Sequence, residues 1–245
     1  MRNTWWVLVL FTASGIAAAD DISCSVSSDY DLGITPKSVI LTRDSGTPKA
    51  LVMRQGRLFV DDRWVTLGAA DRDRLITYER EARATMPLAQ QIGHDAADIA
   101  FTTLGEVAAG FSSDPAASRA KLAKARAQLD ARLARSVTAS HFNGDDLGNG
   151  IGEAVRATLP AVIGDIVGGA LGAVFSGDSA RLQRMHNMDK DIQARVEPRA
   201  RALERNARTL CEHMQSLDRI DDAFDYRLPG GGRLNLLQTK VEHRH

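Results

Sequence analysis

The sequence predicts an α+β protein, mostly helical, with a small N-terminal antiparallel β-meander packed on long helices and a coiled-coil-like C-terminal helix. Three observations carry that reading. Short β-rich runs separated by turn residues fill positions 24–67. After Leu67 the apolar residues recur at steps of three and four. Over 180–225 the steps of three and four average 3.5 residues, the period of a coiled-coil seam.

The chain opens on "MRNTWWVLVLFTASGIAAADD", in which Arg2 precedes an apolar stretch and Ala17-Ala18-Ala19 precede two aspartates. That is the layout of an export signal with a small-residue cleavage site. Residues 1–19 are expected to be removed, and the mature protein to be periplasmic. An apolar stretch from Trp5 to Ile16 is short for a membrane span of about 20 residues. Asp21 stands three positions before Cys24, where a lipoprotein signal requires an apolar residue. Without Arg2 the chain carries 30 basic and 31 acidic residues. A near-neutral chain with no basic block is a poor partner for nucleic acid, whose binding depends on concentrated positive charge. Only two cysteines are present, Cys24 and Cys211. In an oxidising compartment such a pair is expected to form a disulfide.

Residues 20–70 are expected to form the meander. "SVILTR", "ALVMRQ", "RLFVD" and "RWVTL" are its strands, and Gly56 and Asp61-Asp62 occupy the tight turns. The helical region of the same domain follows over 71–228. Asp71 is expected to cap the first helix, which carries Leu75, Tyr78, Ala82 and Met86 inward and stops near Gly110. Asp114-Pro115 opens the next helix, because proline suits the first helical position. Pro198 is expected to kink or split the long C-terminal helix, "PGGG" at 229–232 to end it, and 229–245 to form a tail that returns as a strand or hangs loose.

Gly56 to Pro87 contains "QGRLFVDDRWVTLGAADRDRLITYEREARATMP". A glycine turn, an apolar strand pair, "VTL", a helix with Tyr78 and Arg83, and a proline follow one another. This stretch resembles the YggN-like family of bacterial periplasmic proteins, a domain of unknown function. The order of signal peptide, early cysteine, β segment, long helices and late cysteine is similar too. The one departure is Asp61-Asp62-Arg63, where Asn-Gly or a similar turn is expected. The resemblance implies no catalytic residue and no cofactor.

The residues by themselves offer little chemistry. There is no Gly-x-Ser-x-Gly, no His-Glu-x-x-His and no Cys-x-x-Cys. "GNGIGE" at 148–153 lacks the preceding strand of a nucleotide loop, and "NGDDLGNG" lacks the ordered ligands of a calcium loop. His94 with Asp95 and Asp98, and His141 with Asp145 and Asp146, read as surface ion-pairing groups before they read as hydrolase sites. Glu242, His243 and His245 read as a solvated tail before a weak metal site. No metal, cofactor or catalytic residue is therefore expected.

Residues 144–177 hold nine of the twenty glycines. Gly164, Gly168 and Gly172 are spaced by four and form one stripe of a helix. The apolar run 159–175 would be roughly 25 Å long as a helix, short of the ~30 Å hydrocarbon core. Asp165 inside it would cost at least ~2.5 kcal/mol near a bilayer centre. The stripe is expected to be a packing interface of a folded protein. The functional expectation is a non-enzymatic envelope protein with a structural or interaction role and an unknown protein partner. The alternatives are membrane association through 151–176, and a hydrolase without a recognisable motif.

Overall fold

The computed structural model describes residues 21–138, 141–143, 163–168 and 179–244. In chain order these form β1 (Asp21–Ser27), β2 (Asp31–Ile34), β3 (Val39–Thr42), β4 (Ala50–Arg54), β5 (Arg57–Val60) and β6 (Arg63–Val65). Then come α1 (Ala69–Phe111), α2 (Pro115–Ser136), β7 (Val137–Thr138), β8 (His141–Asn143), α3 (Ser179–Asp222) and β9 (Gln238–Arg244). Residues 163–168 are helical. The expected export signal lies outside the described residues. The class is α+β, as the periodicities imply.

The chain divides into two compact units, and the division cuts through both long helices. Residues 21–86, 141–143 and 208–244 form the first; 87–138, 163–168 and 179–207 form the second. It does not follow the β-then-helix order of the sequence.

In the first unit β3, β4, β5 and β6 are a meander of antiparallel neighbours, with β2 beside β3 and β8 beside β2. The strands alternate because every second side chain enters the core: Leu51 and Met53, then Leu58 and Val60. Gln55 and Gly56 both adopt positive φ, 53° and 73°, giving the mirror-image turn that suits a two-residue hairpin. On the core side, α1 contributes Leu75, Tyr78, Ala82 and Met86, α3 contributes Leu217, and Phe224 enters just beyond the end of α3. These positions follow the predicted helical steps.

Of the two forms expected for the tail, the returning strand is found: Leu234, Leu236 and Leu237 enter the core, and β9 pairs antiparallel with β1 along seven residues. One element departs from the expected pattern. Asp71 lies inside the first turn of α1, not at its cap. Its carboxylate bonds elsewhere, as described below. Pro87 and Pro198 both sit inside uninterrupted helices.

The described contacts of the second unit are smaller. Asp114 caps α2 as expected, its Oδ1 accepting from the backbone N–H of Ala116 at 3.1 Å and of Ala117 at 3.0 Å. α1 and α2 approach closely at Gly93, where an added Cβ would lie 3.2 Å from Leu133 Cδ2. Ala108 and Leu122 form a buried pair, with Phe101, Leu104 and Ile166 against it.

Candidate functional site

Cys24 and Cys211 are joined, with Cα atoms 6.2 Å apart, inside the reach of a disulfide. Cys24 sits on β1, opposite Val241 of β9, and Cys211 on α3. The bond closes a loop across 187 positions. In the chain-entropy account a loop of that size contributes at most about 4–5 kcal/mol.

Three aspartates hold the segment that returns from α3 to β9. Asp71 Oδ1 accepts from Asp225 N at 3.0 Å, and Oδ2 from Tyr226 N at 2.8 Å. Arg74 Nη1 bridges Asp71 Oδ1 (2.7 Å) and Asp225 Oδ2 (2.8 Å). Burial works against the Asp71 charge. The backbone donors and the guanidinium outweigh it and hold the carboxyl below its ordinary range. Asp218 Oδ2 accepts from Thr239 N at 2.8 Å. Asp221 Oδ2 accepts from Leu236 N at 2.6 Å and from Leu237 N at 3.3 Å, while its Oδ1 is buried with no partner. At 2% exposure, burial pushes the Asp221 carboxyl up to about 6 despite the two donors. Burial, with Asp221 and Asp218 nearby, also raises the Tyr78 hydroxyl.

A shallow cleft of 220 Å³ opens beside this clasp, lined by Thr66, Leu67, Gly68, Ala70, Asp71, Asp225 and Tyr226. Of its two carboxylates, Asp71 has both oxygens occupied by donors of the protein itself, and Asp225 Oδ2 accepts from Arg74.

The glycine stripe differs from expectation. Ile163 (47% exposed), Gly164, Val167 (53%) and Gly168 face outward, and Asp165 and Ile166 face the protein. A Cβ added at Gly164 or Gly168 would meet no atom within 4 Å. The packing role expected of these two glycines is thus corrected: among the described residues nothing closes on them. Gly172 lies outside the described residues.

Beside the Ile166 contact, the one charge of residues 163–168 ties this turn to the start of α2. Asp165 Oδ2 accepts from Ser112 Oγ at 2.6 Å and from Ser118 Oγ, and Oδ1 from Ser113 Oγ at 2.7 Å. The Ser112 bond, then those of Ser118 and Ser113, lower the carboxyl to about 2. "FSSDPAAS" at 111–118 was legible as a turn and a helix start. That its serines converge on a residue about fifty positions later had no signal in the sequence.

Among the described residues the histidines do not assemble a site. His94 Nδ1 lies 3.3 Å from Asp130, and Asp130 and Asp98 both pair with Arg126, whose guanidinium stands over Phe101. Asp95 accepts from Gln91 and Asn206. This is an ion-pair network with its acids and base mutually occupied. His141 and His243 lie on β8 and β9; Asp145, Asp146 and His245 lie outside the described residues. Among the described residues no three His, Cys, Asp or Glu side chains are grouped to hold a metal. No described helix is long and apolar enough to cross a membrane.

The remaining feature was missed by the sequence reading. Gly33, Ile40, Val52, Phe59 and Trp64 are successive register partners across β2 to β6. They form one row on the face of the sheet away from the core. Trp64, at 45% exposure, meets Phe59 edge-on with ring centroids 5.3 Å apart, and Arg57 stacks over it at 4.2 Å. The signal was the alternation itself: the out-facing positions of "ALVMR" and "RLFV" are not polar throughout.

The fold and these sites define an α+β protein closed by one long-range disulfide, with a return segment clasped by carboxylates. The chain belongs to the protein family of unknown function DUF2884, whose sequence model matches residues 24–237. No curated protein and no solved structure matches it.

Proposed function

We propose that this is an exported, non-enzymatic protein of the cell envelope with a structural or interaction role, processed after Ala19 and working in the periplasm. The disulfide carries the reading, because a cysteine pair joined across 187 positions persists in an oxidising compartment and is rare in a reducing one. The apolar stretch before Ala17-Ala18-Ala19 supports export independently. The narrower kinship, to YggN-like periplasmic proteins, rests on the 56–87 stretch. An interaction role is supported by the outer face of the sheet, where exposed Trp64 meets Phe59 and carries Arg57 over its ring.

The experiment is N-terminal sequencing of the protein recovered from a cell envelope fraction, with thiol labelling before and after reduction. The reading expects a first residue Asp20 and labelling of Cys24 and Cys211 only after reduction. A first residue Met1, or free thiols in the native protein, would overturn it.

A further inference from the structure

The turns at 35–38 and 54–57 lie side by side at one end of the sheet, since Val39 pairs with Met53. They read "TPKS" and "RQGR". Arg54 and Arg57 are direct cross-strand partners, a like-charge pair that a hairpin ordinarily avoids. Lys37 is exposed on the adjacent turn. Among the described residues none of the three has a carboxylate partner. Glu79 reaches the hairpin, but its oxygens accept from Gln55 N (3.2 Å) and Gly56 N (3.0 Å).

Apolar side chains flank the same tip on both sides. Ile76, 47% exposed, lies against the Gly56 Cα, close enough that an added Cβ would sit 2.9 Å from its Cγ1. Trp64 lies on the other side beneath Arg57. A stacked guanidinium keeps its N–H edge free for an oxyanion.

From this the geometry points to a docking surface for a membrane face bearing anionic phospholipid. Lys37, Arg54 and Arg57 meet phosphates, and Trp64 and Ile76 enter the headgroup boundary. The charge complementarity favours an anionic surface: three cations without a described carboxylate partner flank two adjacent turns. Arginine stems and a tryptophan ring suit an interface that is apolar on one side and wet on the other. An extended peptide fits less well, because β6 offers only three residues of edge for strand addition. The proposal rests on the non-enzymatic interaction reading and names its partner.

The test uses the chain from Asp20 with its disulfide intact. In that chain Trp64 is the one tryptophan, since the others are Trp5 and Trp6. Vesicles of phosphatidylcholine alone are compared with vesicles of equal parts phosphatidylcholine and phosphatidylglycerol. Anionic vesicles are expected to float the protein and shift Trp64 emission to the blue, less so at high salt. Arg54→Gln with Arg57→Gln should weaken partitioning on the order of 30-fold, from about a factor of five per arginine near such a surface. Relief of the like-charge pair offsets loss of the Arg57–Trp64 stack, so the unfolding midpoint should stay close to that of wild type. Lys49→Gln, at the far end of the sheet, should bind within about twofold of wild type, and Ile76→Ser should bind more weakly. Equal partitioning of wild type and the double variant would overturn the proposal. So would a Trp64 shift produced by inorganic phosphate or an acidic peptide but not by vesicles. Neither result touches the export reading, which N-terminal sequencing decides.

Discussion

The two units solve the same problem with different materials. The first buries large side chains from strand, helix and tail in one cluster, including Ile34, Leu51, Met53, Leu58, Leu75 and Leu236 with almost no exposure. It is closed by the disulfide and by three carboxylates that bind backbone N–H groups of the return segment. The second has as its described buried residues chiefly alanines and serines: Ala97, Ala108, Ala125, Ser112 and Ser118, with Leu122, Leu133 and Leu203. Its cross-links are ion pairs such as Arg195 with Glu106, half-exposed and therefore of small net value. Burying a leucine contributes about 1.5–3 kcal/mol and an alanine far less, so among the described residues the first unit holds most of the apolar burial. One continuous helix, α1, passes through both regimes.

The largest effect that would sharpen this contrast comes from the cross-link. Cys24→Ser with Cys211→Ser should lower stability by up to about 4–5 kcal/mol, read as a fall in the urea midpoint. A loss under about 1 kcal/mol would mean that β1 and α3 are held by the core alone.

Core truncation comes next. Leu58→Ala in the first unit should cost about 2–5 kcal/mol in urea unfolding, because its surroundings are fully packed. Leu122→Ala should fall at or below the low end of that range. Its neighbours Phe101, Leu104 and Ile166 are half-exposed and can close over the gap. Equal costs would break the comparison.

Asp221 gives a pH signature. Its carboxyl titrates at about 6 in the fold against an ordinary 3.8, so the folded protein holds that proton more tightly than the unfolded chain. The contribution is fully present below about pH 4 and is lost as the pH rises through about 6. At neutral pH the buried charge costs on the order of 3 kcal/mol. Asp221→Asn keeps an oxygen for Leu236 N and Leu237 N and removes the charge. The difference between the variant's and wild type's stability should therefore move in the variant's favour between pH 4 and pH 7. A pH-independent difference would place the Asp221 charge in solvent. Asp165 has the opposite sign. Its carboxyl is held at about 2, so its contribution is present above about pH 4 and lost as the pH falls through 2.

The smallest effects concern glycine. Gly93→Leu should destabilise by about 1–3 kcal/mol through overpacking against Leu133. Gly168→Leu should be neutral or gain up to about 1 kcal/mol of helix propensity, since its surroundings are open. Comparison of the two thermal midpoints decides it.

These pairs also show what the sequence could convey. Leu75, Tyr78, Ala82 and Met86 were legible because each side chain faces the core on a fixed helical period. Leu51, Met53, Leu58 and Val60 were legible through strand alternation. Cys24 and Cys211 were legible because only one pairing exists. The aspartate clasp was not. Asp71 beside an apolar-periodic run has the pattern of a cap, and nothing local says that its partners are N–H groups some 150 positions away. The glycine stripe misled for a related reason. Spacing by four identifies a common face but not whether that face meets anything, and Asp165 turned it outward by binding the serines. Gly93, isolated in sequence, is the described glycine of the second unit at which a neighbouring helix comes close.

The central claim is that one helix is stabilised unequally along its length, and native-state hydrogen exchange on α1 tests it directly. Amides of 75–86, backed by Leu75, Tyr78, Ala82 and Met86, should exchange only through global unfolding. Amides of 97–108, backed by Ala97 and Ala108, should exchange through a cheaper opening whose free energy is lower and less denaturant-dependent. Protection of both stretches at the same global limit would contradict the division into two regimes.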